Sequence, residues 1–141
     1  MSKISLFPEG KISQKTGKLA PSSIPFTNIE FEDYLDKIKD GEFQDEVLAY
    51  RTGKIEKAKL RGVTPSGVFS YRSANNLVEH SGFIGIDIDT KDQIRDDFNT
   101  LREDLKNDNY TFGLHDSVSG KGGIVVYVKI VPEKHYDSFL A

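Results

Sequence analysis

The sequence predicts an α+β domain in which an antiparallel-containing sheet packs against helices, and three observations carry that expectation. The apolar stretch Gly82-Phe83-Ile84-Gly85-Ile86 runs straight into Asp87-Ile88-Asp89, the pattern of a half-buried strand whose side chains alternate between two faces. Ile94, Phe98, Leu101 and Leu105 then recur at spacings of three and four, which marks an amphipathic helix. Two further strand-like runs, Tyr110-Thr111-Phe112-Gly113-Leu114 and the stretch 124–130, are joined by the polar, glycine-dense turn Ser117-Val118-Ser119-Gly120-Lys121-Gly122-Gly123. Strand, helix, strand, turn, strand in that order yields a sheet with an antiparallel pair and a helix on one face.

The remaining elements follow from the amino terminus. Ile4-Ser5-Leu6-Phe7 predicts a short first strand. Residues 8–25 are rich in Gly, Ser, Lys and Pro without periodicity, and a flexible loop is expected there. Thr27 or Asn28 is expected to cap a helix through Phe31, Tyr34, Leu35 and Ile38 that stops at Asp40-Gly41. A second helix is expected over 43–50, ending near Gly53. Residues 57–60 read as a strand, Gly62-Val63-Thr64-Pro65-Ser66-Gly67 as a turn, and Val68-Phe69-Ser70-Tyr71-Arg72 as a further strand. Residues 75–80 read as a loop or short helix. Thr90 or Asp92 can cap the helix that follows Asp89, and Asn107-Asp108-Asn109 closes it. Pro132 can open a last helix, and its early stop at Ala141 suggests a fragment of a longer protein.

With 141 residues, the chain is expected to form a single domain, 1–141, large enough for a real core. No apolar run approaches the ~20 residues of a membrane-spanning helix, so no membrane partner is expected. The start, Met1-Ser2-Lys3-Ile4-Ser5-Leu6, lacks the apolar core of a secretory signal. The absence of cysteine rules out disulfides and thiolate metal sites and fits a cytoplasmic location. The net charge of −3 conceals an uneven distribution. Arg51, Lys54, Lys57, Lys59, Arg61 and Arg72 face only Glu56 within the same segment, whereas residues 92–108 are mainly acidic. Only the basic segment suits phosphate, and the acidic one reads as a solvated helix face.

Two candidate sites stand out. Asp87 and Asp89 are separated by one strand residue and point the same way. Such a carboxylate pair is stable mainly around a divalent cation such as Mg²⁺ or Mn²⁺. Asp89 could equally end a strand and start a helix, an explanation that suits Asp87 poorly. In the glycine turn, Ser117, Ser119, Gly120, Lys121 and Gly122 can turn several backbone N–H groups toward an anion, with Lys121 as the pairing cation. An ordinary hairpin is the alternative, and the spacing is not that of a Walker A loop. His80, His115 and His135 share no metal-ligand spacing, and Ser119 has no evident base. Phe26, Phe31, Tyr34, Phe69, Phe98 and Phe112 sit at core spacings, whereas Tyr71 and Tyr127 suit exposed positions.

The Gly-Phe-Ile-Gly-Ile-Asp-Ile-Asp strand, the helix after it and the Ser-Val-Ser-Gly-Lys-Gly-Gly turn together resemble the archaeo-eukaryotic primase superfamily. More narrowly, with Lys59-Leu60-Arg61-Gly62-Val63-Thr64-Pro65-Ser66-Gly67-Val68-Phe69 and His80-Ser81-Gly82, the chain resembles the VirE amino-terminal domain family of bacterial mobile elements and phages. The resemblance spans residues 4–130. It implies a primase-like core in which Asp87 and Asp89 hold catalytic metal and Ser119, Gly120, Lys121 and Gly122 hold nucleoside triphosphate. The histidine usual on the strand after the turn is missing here, as is a later acidic residue, so catalysis in this fragment is expected to be incomplete.

The resulting expectation is a nucleotide- and nucleic-acid-binding domain of a mobile-element or phage replication protein. DNA or RNA would lie on the basic segment, and a helicase-like domain or protein would act downstream. The alternatives are an inert domain that docks such a helicase or another partner, and a small metal-dependent phosphohydrolase.

Overall fold

Residues 4 to 7 are buried on both faces, as a strand must be when neighbours flank it and further structure covers it. The computed structural model describes residues 2–89 and 98–132. In chain order the elements are β1 (Lys3–Phe7), β2 (Lys11–Ile12), β3 (Leu19–Ala20), β4 (Thr27–Glu30), α1 (Phe31–Lys39) and α2 (Gln44–Arg51). There follow β5 (Gly62–Thr64), β6 (Gly67–Phe69), β7 (Leu77–His80), β8 (Phe83–Ile88), α3 (Phe98–Lys106), β9 (Thr111–Asp116) and β10 (Ile124–Lys129). Helices and small antiparallel sheets are thus mixed, an α+β arrangement. The chain divides into two units, Met1–Ser81 and Gly82–Ala141. No helix among the described residues is long and apolar enough to cross a membrane.

In the first unit β1 is central, antiparallel to β4 on one side and β5 on the other. Ile4, Leu6, Phe7, Phe31 and Tyr34 form its core, each contributing on the order of 1.5–3 kcal/mol by burial. The fully buried Ser5 hydroxyl donates to Asn28 Oδ1 at 3.0 Å and accepts the Phe69 N–H at 2.9 Å. One polar atom therefore ties β1 to β4 and β6. Both helices end as their glycines dictate. Gly41 and Gly53 take positive φ, and the N–H groups of Gly41, Glu42, Gly53 and Lys54 close back onto Ile38, Lys37, Tyr50 and Ala49, which satisfies the last carbonyls.

In the second unit the sheet order is β8-β10-β9, with β10 antiparallel to both neighbours. Ile84, Ile124 and Val126 are buried. The middle of α3 is tied to the end of β9 by an ion pair between Arg102 and Asp116.

Several expectations are corrected. Thr27 and Asn28 do not cap α1; they pair in β4 with Leu6 and Ser5, and Glu30 occupies the cap position. Residues 57–59 form a 3-10 turn instead of a strand. The turn expected over 62–67 opens with β5, and the following strand is shorter, Gly67–Phe69. The region 75–80 holds a 3-10 turn and then β7. Residues 8–25 contain the small β2–β3 ladder, Lys11 opposite Ala20 and Ile12 opposite Leu19. Phe26 and Phe112 are exposed, whereas Tyr127 is 2% exposed; local spacing does not report which face of a short strand the rest of the chain covers. Ile94, the expected helix cap at Thr90 or Asp92, and the helix expected after Pro132 lie outside the described residues.

Candidate functional site

β8 and β9 both end where β10 begins, so the turn 117–123 and the Asp87-Ile88-Asp89 run share one edge of the sheet. Ladder register makes this concrete: Ile124 lies between Ile88 and Asp116, and Val125 between Asp87 and His115. Cross-strand partners share a face, so Asp87, Val125 and His115 form one row. Asp87 and His115 are then two strand spacings apart, roughly 10 Å. Asp87 is exposed, and Asp89 follows one residue past the strand, also exposed. Among the described residues no group of three or more histidine or acidic side chains is gathered as metal ligands would be.

The turn is built from its own polar atoms. The Ser117 N–H donates to Gly123 O at 2.9 Å and the Gly120 N–H to Ser117 O at 3.2 Å. The Lys121 N–H reaches Ser119 Oγ at 3.4 Å, and the Ser117 and Ser119 hydroxyls are 3.5 Å apart. Gly120 and Gly122 hold positive φ of 71° and 89°, a conformation that other residues adopt only at a cost. Gly123 is buried, and a Cβ there would meet Ile88 O at 3.3 Å and Ser117 Cβ at 3.2 Å. The turn thus abuts the residue between the two aspartates, leaving Lys121 exposed.

His115, two residues before Ser117 and so placed by the sequence itself near the turn, joins this edge together with Tyr127, which the sequence did not place there. Tyr127 Oη lies 2.7 Å from His115 Nε2, and His115 Nδ1 lies 2.7 Å from Asp116 O. A carbonyl can only accept, so Nδ1 carries a proton, and in the neutral ring Nε2 accepts the Tyr127 hydroxyl. With both nitrogens engaged, His115 can position the base of the turn. The hairpin register, Tyr127 opposite Gly113 and two residues from the His115 row, is the signal that would have found the pair.

The six basic residues belong to the first unit and are not alike. Arg61 donates from Nε to Glu46 at 2.7 Å and pairs with Glu42 at 3.7 Å, with its guanidinium 4.5 Å from the Phe43 ring centre. Lys59 pairs with Glu9 at 3.2 Å. Arg72 stacks on Phe7 at 4.2 Å. Arg51, Lys54 and Lys57 are exposed. The segment is therefore less free as a cationic surface than its composition implies.

Fold and edge define an α+β domain with a carboxylate-bearing strand end beside a glycine turn. The chain belongs to the BT4734-like N-terminal domain family, whose model matches residues 55–138, more than half of the sequence. This corrects the resemblance to the VirE amino-terminal domain and the primases, which is a different family. The Asp-x-Asp strand, helix and glycine hairpin on which it rested are compatible with any sheet of this order, and their succession does not separate the families. No curated protein and no solved structure matches the chain.

Proposed function

We propose that the domain binds the polyphosphate of a nucleotide at the edge formed by the ends of β8 and β9, with Mg²⁺ or Mn²⁺ shared between ligand and protein. The observation that carries this reading is the contact of Gly123 with Ile88, which sets the turn beside Asp87 and Asp89. Two carboxylates leave most of an octahedral shell to water and phosphate oxygens, so the cation would bridge protein and ligand. Lys121 and the N–H groups of the turn would take the remaining phosphate charge. A pair of carboxylates fixes one ion more readily than two, which favours binding over turnover by this chain alone.

Titrating the chain with MnCl₂ and ATP, followed by paramagnetic broadening of backbone amide signals, tests the reading. Broadening should centre on residues 86–89 and 117–123 and vanish in the Asp87→Asn, Asp89→Asn double variant. Manganese and nucleotide binding that survives the double substitution would place the site elsewhere.

A second reading, a domain that docks another protein and uses no nucleotide, draws on β7. Leu77 and Val78 are exposed there, on a strand whose ladder partner is β6. It replaces the first reading if the parent chain binds neither manganese nor ATP.

A further inference from the structure

Three groups meet at the carboxyl-terminal end of β1. The Arg72 guanidinium carbon lies 4.2 Å from the Phe7 ring centre, and Phe7 faces Gly62 in the β1–β5 ladder. A Cβ at position 62 would stand 2.8 Å from a guanidinium nitrogen of Arg72. The missing side chain therefore lets the guanidinium lie against the sheet. Stacking on a ring holds a guanidinium in one orientation, so less freedom is lost when it grips an anion.

Charge singles out the same residue. Arg61 and Lys59 are matched by Glu46, Glu42 and Glu9, but the Arg72 guanidinium has no hydrogen-bond or ion-pair partner among the described residues. Burial against Phe7 pushes its pKa down, yet an arginine stays cationic at neutral pH. The charge is partly desolvated with no anion beside it among the described residues.

Exposed rings are carried by the segments next to this cation. The Arg72 N–H donates to Ser23 O at 2.8 Å, and the Phe26 N–H to Leu6 O at 3.0 Å, so segments 23–26 and 71–72 run over the same end of β1. Tyr71 is 48% exposed, and Phe26 and Ile24 are each 65% exposed. A wholly apolar partner would bury the guanidinium unpaired, which is costly. A duplex would hide its base faces. A single strand offers both a phosphate for the fork and unstacked bases for the rings.

We propose that Phe26, Tyr71 and Arg72 form a contact surface for single-stranded nucleic acid, with Arg72 holding a phosphate and the two rings stacking bases. The surface lies in the first unit and does not depend on the nucleotide reading of the second.

Fluorescence anisotropy of labelled dT and rU 20-mers with the full chain, at low salt in EDTA, tests the proposal without involving any metal-dependent site. Single strands of one or both sugars should bind more tightly than a duplex of equal length. Tyr71→Ala and Phe26→Ala should each weaken binding roughly tenfold; both side chains are exposed, and circular dichroism checks that the variants fold. Arg72→Lys keeps the charge but loses the planar fork, and should weaken binding severalfold. Absence of binding, equal affinity for the duplex, displacement by an equimolar acidic peptide, or ring variants that bind like the parent would each overturn it.

Discussion

Tyr127 Oη stands 2.7 Å from His115 Nε2 across the β9–β10 hairpin, and this bond joins a buried tyrosine to the strand that enters the glycine turn. Tyr127→Phe removes the hydroxyl without changing shape. The loss should be about 0.5–1.5 kcal/mol of stability. It should also free Nε2, so that the His115 ring nitrogen signals in ¹⁵N NMR move while the Asp116 carbonyl keeps its Nδ1 partner. Unchanged ring signals would show that the bond does not form in solution.

Gly123→Ala tests the seating of the turn. The added methyl would stand 3.3 Å from Ile88 O and 3.2 Å from Ser117 Cβ, tighter than ordinary contact, so the turn must move off β8. ATP affinity in the presence of Mn²⁺ should fall severalfold, with loss of stability limited to about 1–3 kcal/mol as for other overpacked sites. Calorimetric titration beside a thermal melt separates the two effects.

Ser5→Ala should destabilise the first unit. Its hydroxyl is the shared partner of Asn28 Oδ1 and the Phe69 N–H, and the substitution takes it from both the exposed Asn28 and the half-buried Phe69. Each such hydrogen bond contributes about 0.5–1.5 kcal/mol. Urea denaturation should report a lower midpoint at unchanged slope, and a shift near zero would mean that water replaces the hydroxyl.

Acid sensitivity should trace in part to Glu42. Its hydrogen bond to Lys37, at 2.9 Å, together with the nearby charges of Lys37 and Arg61, holds the carboxyl below its ordinary value of 4.5. A depressed carboxyl contributes stability that is present above the unfolded value and is lost as pH falls through the folded one. Glu42→Gln should therefore be slightly less stable than the parent at pH 7, and the gap should close below about pH 4.5. The effect will be small because the pair faces solvent. Thermal melts of both proteins at pH 7 and pH 3 measure it.

Gly67 marks a tight crossing in the first unit. A Cβ there would fall 2.1 Å from Glu79 O, a backbone atom that cannot swing aside. Gly67→Ala should force β6 and β7 apart. Amide hydrogen exchange should show lost protection across residues 77–80, and retained protection would mean that the hairpin absorbs the methyl by a local shift.

Much of this architecture was legible because it rests on neighbours in sequence. The stops of α1 and α2 follow from Gly41 and Gly53, which supply the positive φ a helix end requires. β8 and β10 are apolar runs bounded by polar turn residues, and they appear within a residue or two of their expected limits. Where reading failed, non-local pairing had overruled local preference. Thr27 and Asn28 are good cap residues, but β1 offered them a ladder. Residues 57–59 have too little alternation to demand a strand, and no neighbour supplies one.

The sequence by itself determined the helix ends, the strand that carries Asp87, and the glycine-rich composition of the turn after Asp116, since each depends on residues within about one turn or one hairpin. Only the tertiary structure decided that Tyr127 is buried against His115, that Glu46 and Glu9 neutralise Arg61 and Lys59, and that Arg72 lies on Phe7 with no anion beside it among the described residues. Those outcomes depend on partners from 12 to 65 positions away. Strand register and chain crossing bring such partners together, and no local pattern of charge or hydropathy encodes either.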